Sequence, residues 1–531
     1  MIRNPILPGF HPDPSICRVG KTFYIATSTF EWYPGVRIHA SEDLANWRFA
    51  AAPLDRAALL DMRGNQDSGG IWAPCLSHDG ERFWLVYTDV KRLDGAFKDA
   101  HNYITACETI DGEWCDPWYV NSSGFDPSLF HDDDGRKWFT NMQWNHRGKG
   151  TGGNPAHASF DGILLQEWSA EQGLVGEKKN IFAGTDRGLT EAPHIFKRNG
   201  YYYLTTAEGG TGYDHAVTLA RSRDIWGPYK VHPQKFVMSA KGHPDHPVQR
   251  TGHGQYVEGS DGRHWHTYLM GRPIAGPDGK GAFCPLGRET GIAPVVWKDD
   301  WLWLEEGGLL APETVAAEAT ASKPESISYD FMDGLHPDFQ WLRTPDSERI
   351  FRVENGELVL IGRESIGSWF EQALVARRQQ HHRYRAETRV DMSPTTYQQA
   401  AGLTTYYNRH KYHALLVSHE PGVGRVLTIQ SCPGNWPDGE LEHPLDAPVP
   451  LSDGPVELAV DVDGPTQQFH YRQGGDWMPV GPLLNAAVIS DEGGRGEHAS
   501  FTGAFVGMVA FDVSGVAMEA RFAAFSYLPR G

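Results

Sequence analysis

The chain has 531 residues, a formal net charge of −19 and 12% aromatic side chains. That length implies more than one domain, each large enough for its own core, and the acidity repels phosphate backbones and anionic lipid, so nucleic acid and membranes are not expected partners. No run of about 18 apolar residues is present to span a bilayer, and Met1-Ile2-Arg3-Asn4-Pro5 lacks the basic start and apolar core of a secretory leader, which makes the cytoplasm the expected compartment.

Between residues 13 and 268 one pattern recurs five times. A head residue is followed by a small residue or Pro, a short strand, a Gly turn and an aromatic strand. The copies open at Asp13-Pro14-Ser15-Ile16, Trp72-Ala73-Pro74-Cys75, Asp126-Pro127-Ser128-Leu129, Glu191-Ala192-Pro193-His194 and Gly252-His253-Gly254-Gln255. Asp79-Gly80, Asp134-Gly135, Asn199-Gly200 and Asp261-Gly262 supply the hairpin turns. Intervals of 54 to 65 residues with several strands per unit predict a five-bladed β-propeller over residues 1–305. A second cue pairs a charged turn with Trp, in Ser41-Glu42-Asp43-Leu44-Ala45-Asn46-Trp47 and Arg221-Ser222-Arg223-Asp224-Ile225-Trp226. It reads as a later strand of a blade, with the Trp between neighbouring sheets.

Residues 306–326, rich in Glu, Gly, Ala and Thr, read as a linker. Alternating strands resume at Ser326–Phe331, Leu358–Leu360, Tyr384–Val390, His413–Val417, Val456–Val462 and Ala520–Tyr527, which predicts a β-sandwich over 327–531. The fold class is therefore all-β, a propeller followed by a sandwich. The six cysteines at 17, 75, 107, 115, 284 and 432 follow no metal spacing and read as reduced thiols.

Three of the five repeat heads are acids. A single Asp-Pro is ordinarily an Asx turn, but blades that start at a common axis bring Asp13, Asp126 and Glu191 to one end of the channel, and clustered titratable groups mark sites. Glycoside hydrolysis needs a proton donor for the leaving oxygen and a second carboxylate for the water or the anomeric carbon. A third carboxylate raises the donor's pKa by repulsion. Phe30, Trp72 and Trp144 fall in loops near the heads, where rings stack on the C–H faces of sugars. Arg288 lies where a closing strand should return to the first blade, and His253 heads the fifth repeat at the axis.

Other motifs carry less. His243, His246 and His253 match no zinc spacing, and Asp132-Asp133-Asp134-Gly135 lacks the later EF-hand Glu. Gly209-Gly210-Thr211-Gly212 lacks a Walker lysine. Gln66-Asp67-Ser68-Gly69-Gly70 echoes the nucleophile loop of trypsin-like proteases, but nothing else in the chain fits that fold. No metal and no cofactor is expected.

In Asn4–Ser15, Ser28–Val36, Gly124–Phe130, Thr190–His194, Leu286–Thr290 and Phe501–Gly507 the chain resembles glycoside hydrolase family 43, and within it the intracellular β-xylosidases. The resemblance implies single-displacement, inverting hydrolysis, with Asp13 as general base, Glu191 as general acid and Asp126 orienting the acid and tuning its pKa. It places His253 and Arg288 on the floor of a sugar pocket, Phe30, Trp72 and Trp144 on its walls, and Phe501 on a sandwich loop over its mouth. Base and acid would then stand about 6.5–9.5 Å apart. The expected substrates are xylo-oligosaccharides, cleaved at the non-reducing end, with side activity on α-L-arabinofuranosides. The alternatives are an enzyme acting mainly on arabinofuranosides and a non-catalytic carbohydrate-binding propeller. A structural calcium near the propeller axis, as in some relatives, is the alternative to a metal-free site, and a homo-oligomer is expected. His11 and Ala192 stand where relatives often carry other residues.

Overall fold

Strands make up almost all regular structure in the computed structural model, which describes every residue except 94–96, 148–158, 318, 320–325, 435–439, 495–499 and 531. Among the described residues the helical turns are Ser347–Arg349 and Ala486–Val488, and no helix is long and apolar enough to cross a membrane.

Five antiparallel sheets follow one another along the chain, at 15–51, 70–121, 128–182, 191–239 and 249–304. They are the blades of a five-bladed propeller. Asp13 and Asp126 stand just ahead of the first strand of their blades, Glu191 opens its strand, Trp72 lies within Gly70–His78 and His253 between Gln249–Gly252 and Tyr256–Glu258; first strands touch between blades one and two, two and three, three and four, and five and one. The small residue after the repeat's Pro has a clear use in two blades. Ser15 Oγ donates to Gln255 Oε1 of blade five (2.8 Å) and accepts from the Leu76 N–H of blade two (2.9 Å). Ser128 Oγ donates to the Pro193 carbonyl of blade four (2.6 Å). The prolines in blades two and four coincide with register shifts, between Trp72 and Cys75 and between Glu191 and His194, as expected of a residue with no N–H for the ladder. Asn199 and Gly200 both have positive φ (49° and 70°), the signature of a two-residue hairpin turn.

The charged cues with Trp are turns, not strands. The outer strands they introduce are Arg48–Ala51 and Lys230–Ser239. Asp43 Oδ1 accepts from the Ala45 and Asn46 N–H groups (2.9 and 2.8 Å) and Asp224 Oδ1 from the Trp226 N–H (2.9 Å), so these aspartates close local turns instead of extending. Trp226 still packs across blades, edge-on to Trp138 with ring centroids 5.2 Å apart. Within the segment expected to be a linker, Thr314–Val315 pairs with Ile2–Arg3 and fixes the N-terminus; residues 318 and 320–325 of it lie outside the described residues. All six cysteines are unpaired.

The C-terminal strands form two sheets that enclose a core around Val375, Tyr384, Leu403, Val460, Phe522 and Phe525. The second sheet is covered on both faces. Along Ala373–Arg378, Ala373 and Val375 face the sandwich core, while Leu374 and Ala376 pack with Phe10, Phe30 and Trp32 of the propeller. Trp32 stacks on Phe505 (3.7 Å between centroids, 13° between planes). Trp32–Tyr33, from the propeller segment, is itself the last strand of that sheet, paired with Phe339–Leu342. One ladder therefore runs across the boundary between the two units.

Candidate active site

The three acids converge. Asp13, Asp126 and Glu191 line one cavity of about 380 Å³ together with Phe30, Trp72, Trp144, His253, Arg288 and Phe501, so the structure brings all nine predicted site residues to one place. The local backbone explains how. Asp13, Asp126 and His253 have φ of 56°, 54° and 39°, and Ala192, next to Glu191, has 53°. A non-glycine residue in this left-handed region is uncommon and concentrates at functional sites. The bend stands just ahead of the first strand at Asp13 and Asp126, within it at Ala192 and between two short strands at His253, and the pocket is lined by Asp13, Asp126, Glu191 and His253. Blade five needs glycine on both sides of His253. A Cβ on Gly254 would stand 1.7 Å from the Thr267 carbonyl oxygen, and one on Gly252 2.4 Å from the His215 ring.

Asp13 is held from both sides. Its Oδ1 accepts from Arg288 Nη1 (2.9 Å) and its Oδ2 from Ser28 Oγ (2.6 Å). Charge-assisted bonds of this kind fix both position and orientation. Asp126 reaches the neighbouring acid through the backbone, its Oδ2 accepting from the Ala192 N–H at 3.1 Å. His253 Nδ1 lies between the two aspartates, 3.6 Å from Asp13 Oδ1 and 3.9 Å from Asp126 Oδ2. Glu191 differs from both. It is buried, and its Oε1 has no hydrogen-bond partner among the described residues.

These environments separate the acids. Burial, followed by the charge of Asp13, pushes Glu191 up to about 8, with Arg288 opposing. Burial, then the charges of Glu191 and Asp13, raises Asp126 well above the carboxylate range, against the Ala192 N–H bond and Arg288. Burial lowers His253 to about 4, so its imidazole is neutral at neutral pH. The site thus holds a protonated carboxylic acid, Glu191, beside an aspartate bound by an arginine, which suits Glu191 to the acid role.

The aromatic wall is a continuous row of ring contacts. Centroids are 6.5 Å apart for Phe501–Phe30, 6.0 Å for Phe30–Trp72, 5.0 Å for Trp72–Phe125 and 5.8 Å for Phe125–Trp144. Phe160 packs on Trp144 at 5.1 Å, and the Lys98 ammonium sits 4.5 Å over the Trp144 ring. Arg288 also reaches the sandwich, Nη2 donating to the Phe501 carbonyl at 2.8 Å.

The sequence matches the model of Glycosyl hydrolases family 43 over residues 2–302, and that of the Beta xylosidase C-terminal Concanavalin A-like domain over 328–528. The chain belongs to glycosyl hydrolase family 43. It is 56% identical over 536 residues to Xylosidase/arabinosidase 43B of Humicola insolens, covering 99% of this chain and 98% of that protein. It is 45% identical to the Beta-xylosidase of Bacillus subtilis (strain 168), covering 99% of each. The crystal structure of xylan beta-1,4-xylosidase from Bacillus halodurans C-125 superimposes with a TM-score of 0.94 at 46% identity, over 99% of this chain and 100% of that one.

Several pocket residues of this family 43 chain escaped the sequence reading. Phe125 and Phe160 line the cavity; Phe125 directly precedes a repeat head, a signal that could have found it, whereas Phe160 has none. Lys98 also lines it, and an isolated lysine gives no pattern to follow; Gly210 and Thr211 line it too, from the Gly-rich segment 209–212 that the sequence reading sets aside for lacking a Walker lysine. Arg288 directly precedes an inner strand of blade five, Glu289–Lys298, rather than a strand returning to blade one. It is nonetheless tied to the N-terminal segment, because its carbonyl accepts from the His11 N–H (3.1 Å). For a cation, no group of three His, Cys, Asp or Glu side chains suited to a metal occurs among the described residues. His253 has both kinds of neighbour, the imidazoles of His194 and His215 and the carboxylates of Asp13 and Asp126. No step below runs through a metal.

Proposed function

We propose that the protein is an exo-acting β-1,4-xylosidase that hydrolyses xylo-oligosaccharides from the non-reducing end with inversion. The observation that carries this reading is the pairing, in one pocket, of Glu191 raised to about 8 with Asp13 bound by Arg288 and Ser28. At neutral pH Glu191 holds a proton for the glycosidic oxygen, and Asp13 accepts one from water. The water oxygen bonds to the anomeric carbon on the face opposite the leaving group. The bond from that carbon to the glycosidic oxygen breaks, and the leaving sugar departs with the proton of Glu191. A β-xyloside therefore gives α-xylose first. Asp126, anchored on the Ala192 N–H, keeps the backbone next to the acid in place, and burial together with the charges of Glu191 and Asp13 raises its own carboxyl.

The pocket's shape supports exo action. Phe501 comes from the sandwich and stands over the propeller's cavity, so the wall is closed on that side. Activity on α-L-arabinofuranosides is a second reading, favoured by the resemblance to a protein named xylosidase/arabinosidase. Release of nitrophenol from the β-xyloside and the α-L-arabinofuranoside ranks the two activities, and NMR of the first sugar formed tests inversion. Binding of xylose without release of nitrophenol from either would leave a lectin-like propeller.

A further inference from the structure

Ser68 belongs to the Gln66–Gly70 loop, whose only sequence likeness was to an unrelated protease motif. It is fully buried and has φ of 61°, a region that favours glycine. Three of its polar atoms are engaged, each toward a different ring of the pocket wall. Its N–H donates to Glu31 Oε2 (3.1 Å), and Glu31 follows Phe30. Its carbonyl accepts from Trp72 Nε1 (2.8 Å), and its Oγ accepts from the Phe501 N–H (2.9 Å). Phe30, Trp72 and Phe501 are mutually in contact, with Trp72–Phe501 centroids 5.8 Å apart. They come from two propeller segments and the sandwich, and Ser68 is bonded to all three places.

The loop is itself anchored. Asp67 Oδ1 accepts from Arg343 Nη2 (2.8 Å) and Oδ2 from Arg409 Nε (3.2 Å), both arginines of the sandwich. Arg343 is completely buried, and its Nε also binds the Asn65 carbonyl (2.7 Å). On the far side, the Phe501 carbonyl accepts from Arg288, the arginine that holds Asp13. The Phe501 backbone is thus bracketed, N–H to Ser68 and carbonyl to Arg288.

We infer that Ser68 is a positioning residue for substrate binding: by fixing the Phe501 peptide against Trp72 and Phe30, it sets how tightly the pocket grips its sugar. Glycine would suit the backbone better, and alanine would leave the Phe501 N–H without its acceptor. The serine hydroxyl is what the position gains from carrying a side chain in a strained conformation. The inference rests on the hydrolase reading above.

Ser68→Gly keeps both backbone contacts, relaxes the turn and deletes Cβ with Oγ. KM for nitrophenyl β-xyloside should rise about 3- to 10-fold, the span of one neutral hydrogen bond, with kcat within about twofold and the pH profile unmoved. Ser68→Ala, which keeps the strained backbone, should give the same KM, showing that the effect follows the hydroxyl. In a Phe501→Ala background, Ser68→Gly should change KM by less than about twofold, because residues acting through one another are not additive. Unchanged KM in both single variants, a fall in kcat at constant KM, or full additivity with Phe501→Ala would each overturn the inference. Xylose binding by calorimetry separates the two levels. A wild-type protein that binds xylose but releases no nitrophenol refutes the hydrolase reading alone, and weaker binding by the Ser68 variants then still upholds the positioning role, whereas equal binding removes it.

Discussion

Replacing Glu191 by glutamine tests the electrostatic basis of the site without measuring turnover. Burial and Asp13 carry the Glu191 carboxyl from its ordinary 4.5 up to about 8 in the folded protein. The native chain therefore holds this proton more tightly than the unfolded chain does. The associated stability is fully present below pH 4.5 and is lost as the pH rises toward 8, above which the fold carries a buried carboxylate. At about 1.4 kcal/mol per pH unit the loss is roughly 5 kcal/mol between those limits. Glu191→Gln is close in shape and does not titrate. Its stability relative to wild type should climb by that amount from pH 4.5 to 8 and level off above. With an unfolding entropy of about 2.1 cal/mol/K per residue over the 531-residue chain, the climb is about 4 to 5 °C in Tm. Asp126 adds in the same direction, because the charge of Glu191 is one reason its own carboxyl is raised. Thermal melts of both proteins at half-unit steps from pH 5 to 9 measure the effect. A Tm difference that stays constant across the range would refute the assignment of a raised pKa to Glu191, and with it the physical case for Glu191 as the acid.

The same raised carboxyl should appear in catalysis as a fall in kcat/KM above about pH 8, since the acid must be protonated to act; a plateau to pH 10 contradicts it. Glu191→Ala should cost little on substrates with good leaving groups and orders of magnitude on xylobiose, whereas Asp13→Ala should cost about as much on both, because every substrate needs the activated water. Equal losses on both substrates for Glu191→Ala would remove the acid role. Dialysis against EDTA should leave activity intact, Arg288 supplying the positive charge beside Asp13; loss restored by calcium would overturn this. A chain cut near residue 305 should be insoluble or inactive, because it exposes Phe10, Trp32 and their neighbours and loses the partner strand of Trp32–Tyr33; a soluble, fully active fragment would contradict it.

The propeller was legible because its repeat is written in residues that local geometry demands. Asp-Gly at 79–80, 134–135 and 261–262 and Asn-Gly at 199–200 mark hairpins, and the residues around the head mark where a first strand begins or bulges. Aspartates mislead in the charged cues with Trp, since the side chain that would flank a strand instead bonds its own following N–H groups, as Asp43 does with Ala45 and Asn46. The sandwich was legible only in part. Alternation along Tyr384–Val390 identifies strands, but a strand such as Gln399–Asn408, buried along its whole length, does not say what covers its second face. That the propeller lies there, and lends Trp32–Tyr33 to the same sheet, depends on pairings more than 300 residues apart in sequence.

The acids and the first ring of aromatics were legible for a related reason: repeat symmetry converts positions along the chain into positions around an axis. Residues outside the repeat have no such conversion. Ser28, Asp67, Ser68 and Arg343 are ordinary in sequence, and their roles come from what stands opposite them once the sandwich has docked. This explains why the two units behave as one site. Arg288 binds Asp13 through one nitrogen and the Phe501 carbonyl through another, while Ser68 takes the N–H of the same residue. A displacement of the sandwich cannot move the pocket mouth alone, because it pulls on the arginine that orients the carboxylate of Asp13. Substrate access and the placement of that carboxylate are therefore coupled through the backbone of a single residue, Phe501.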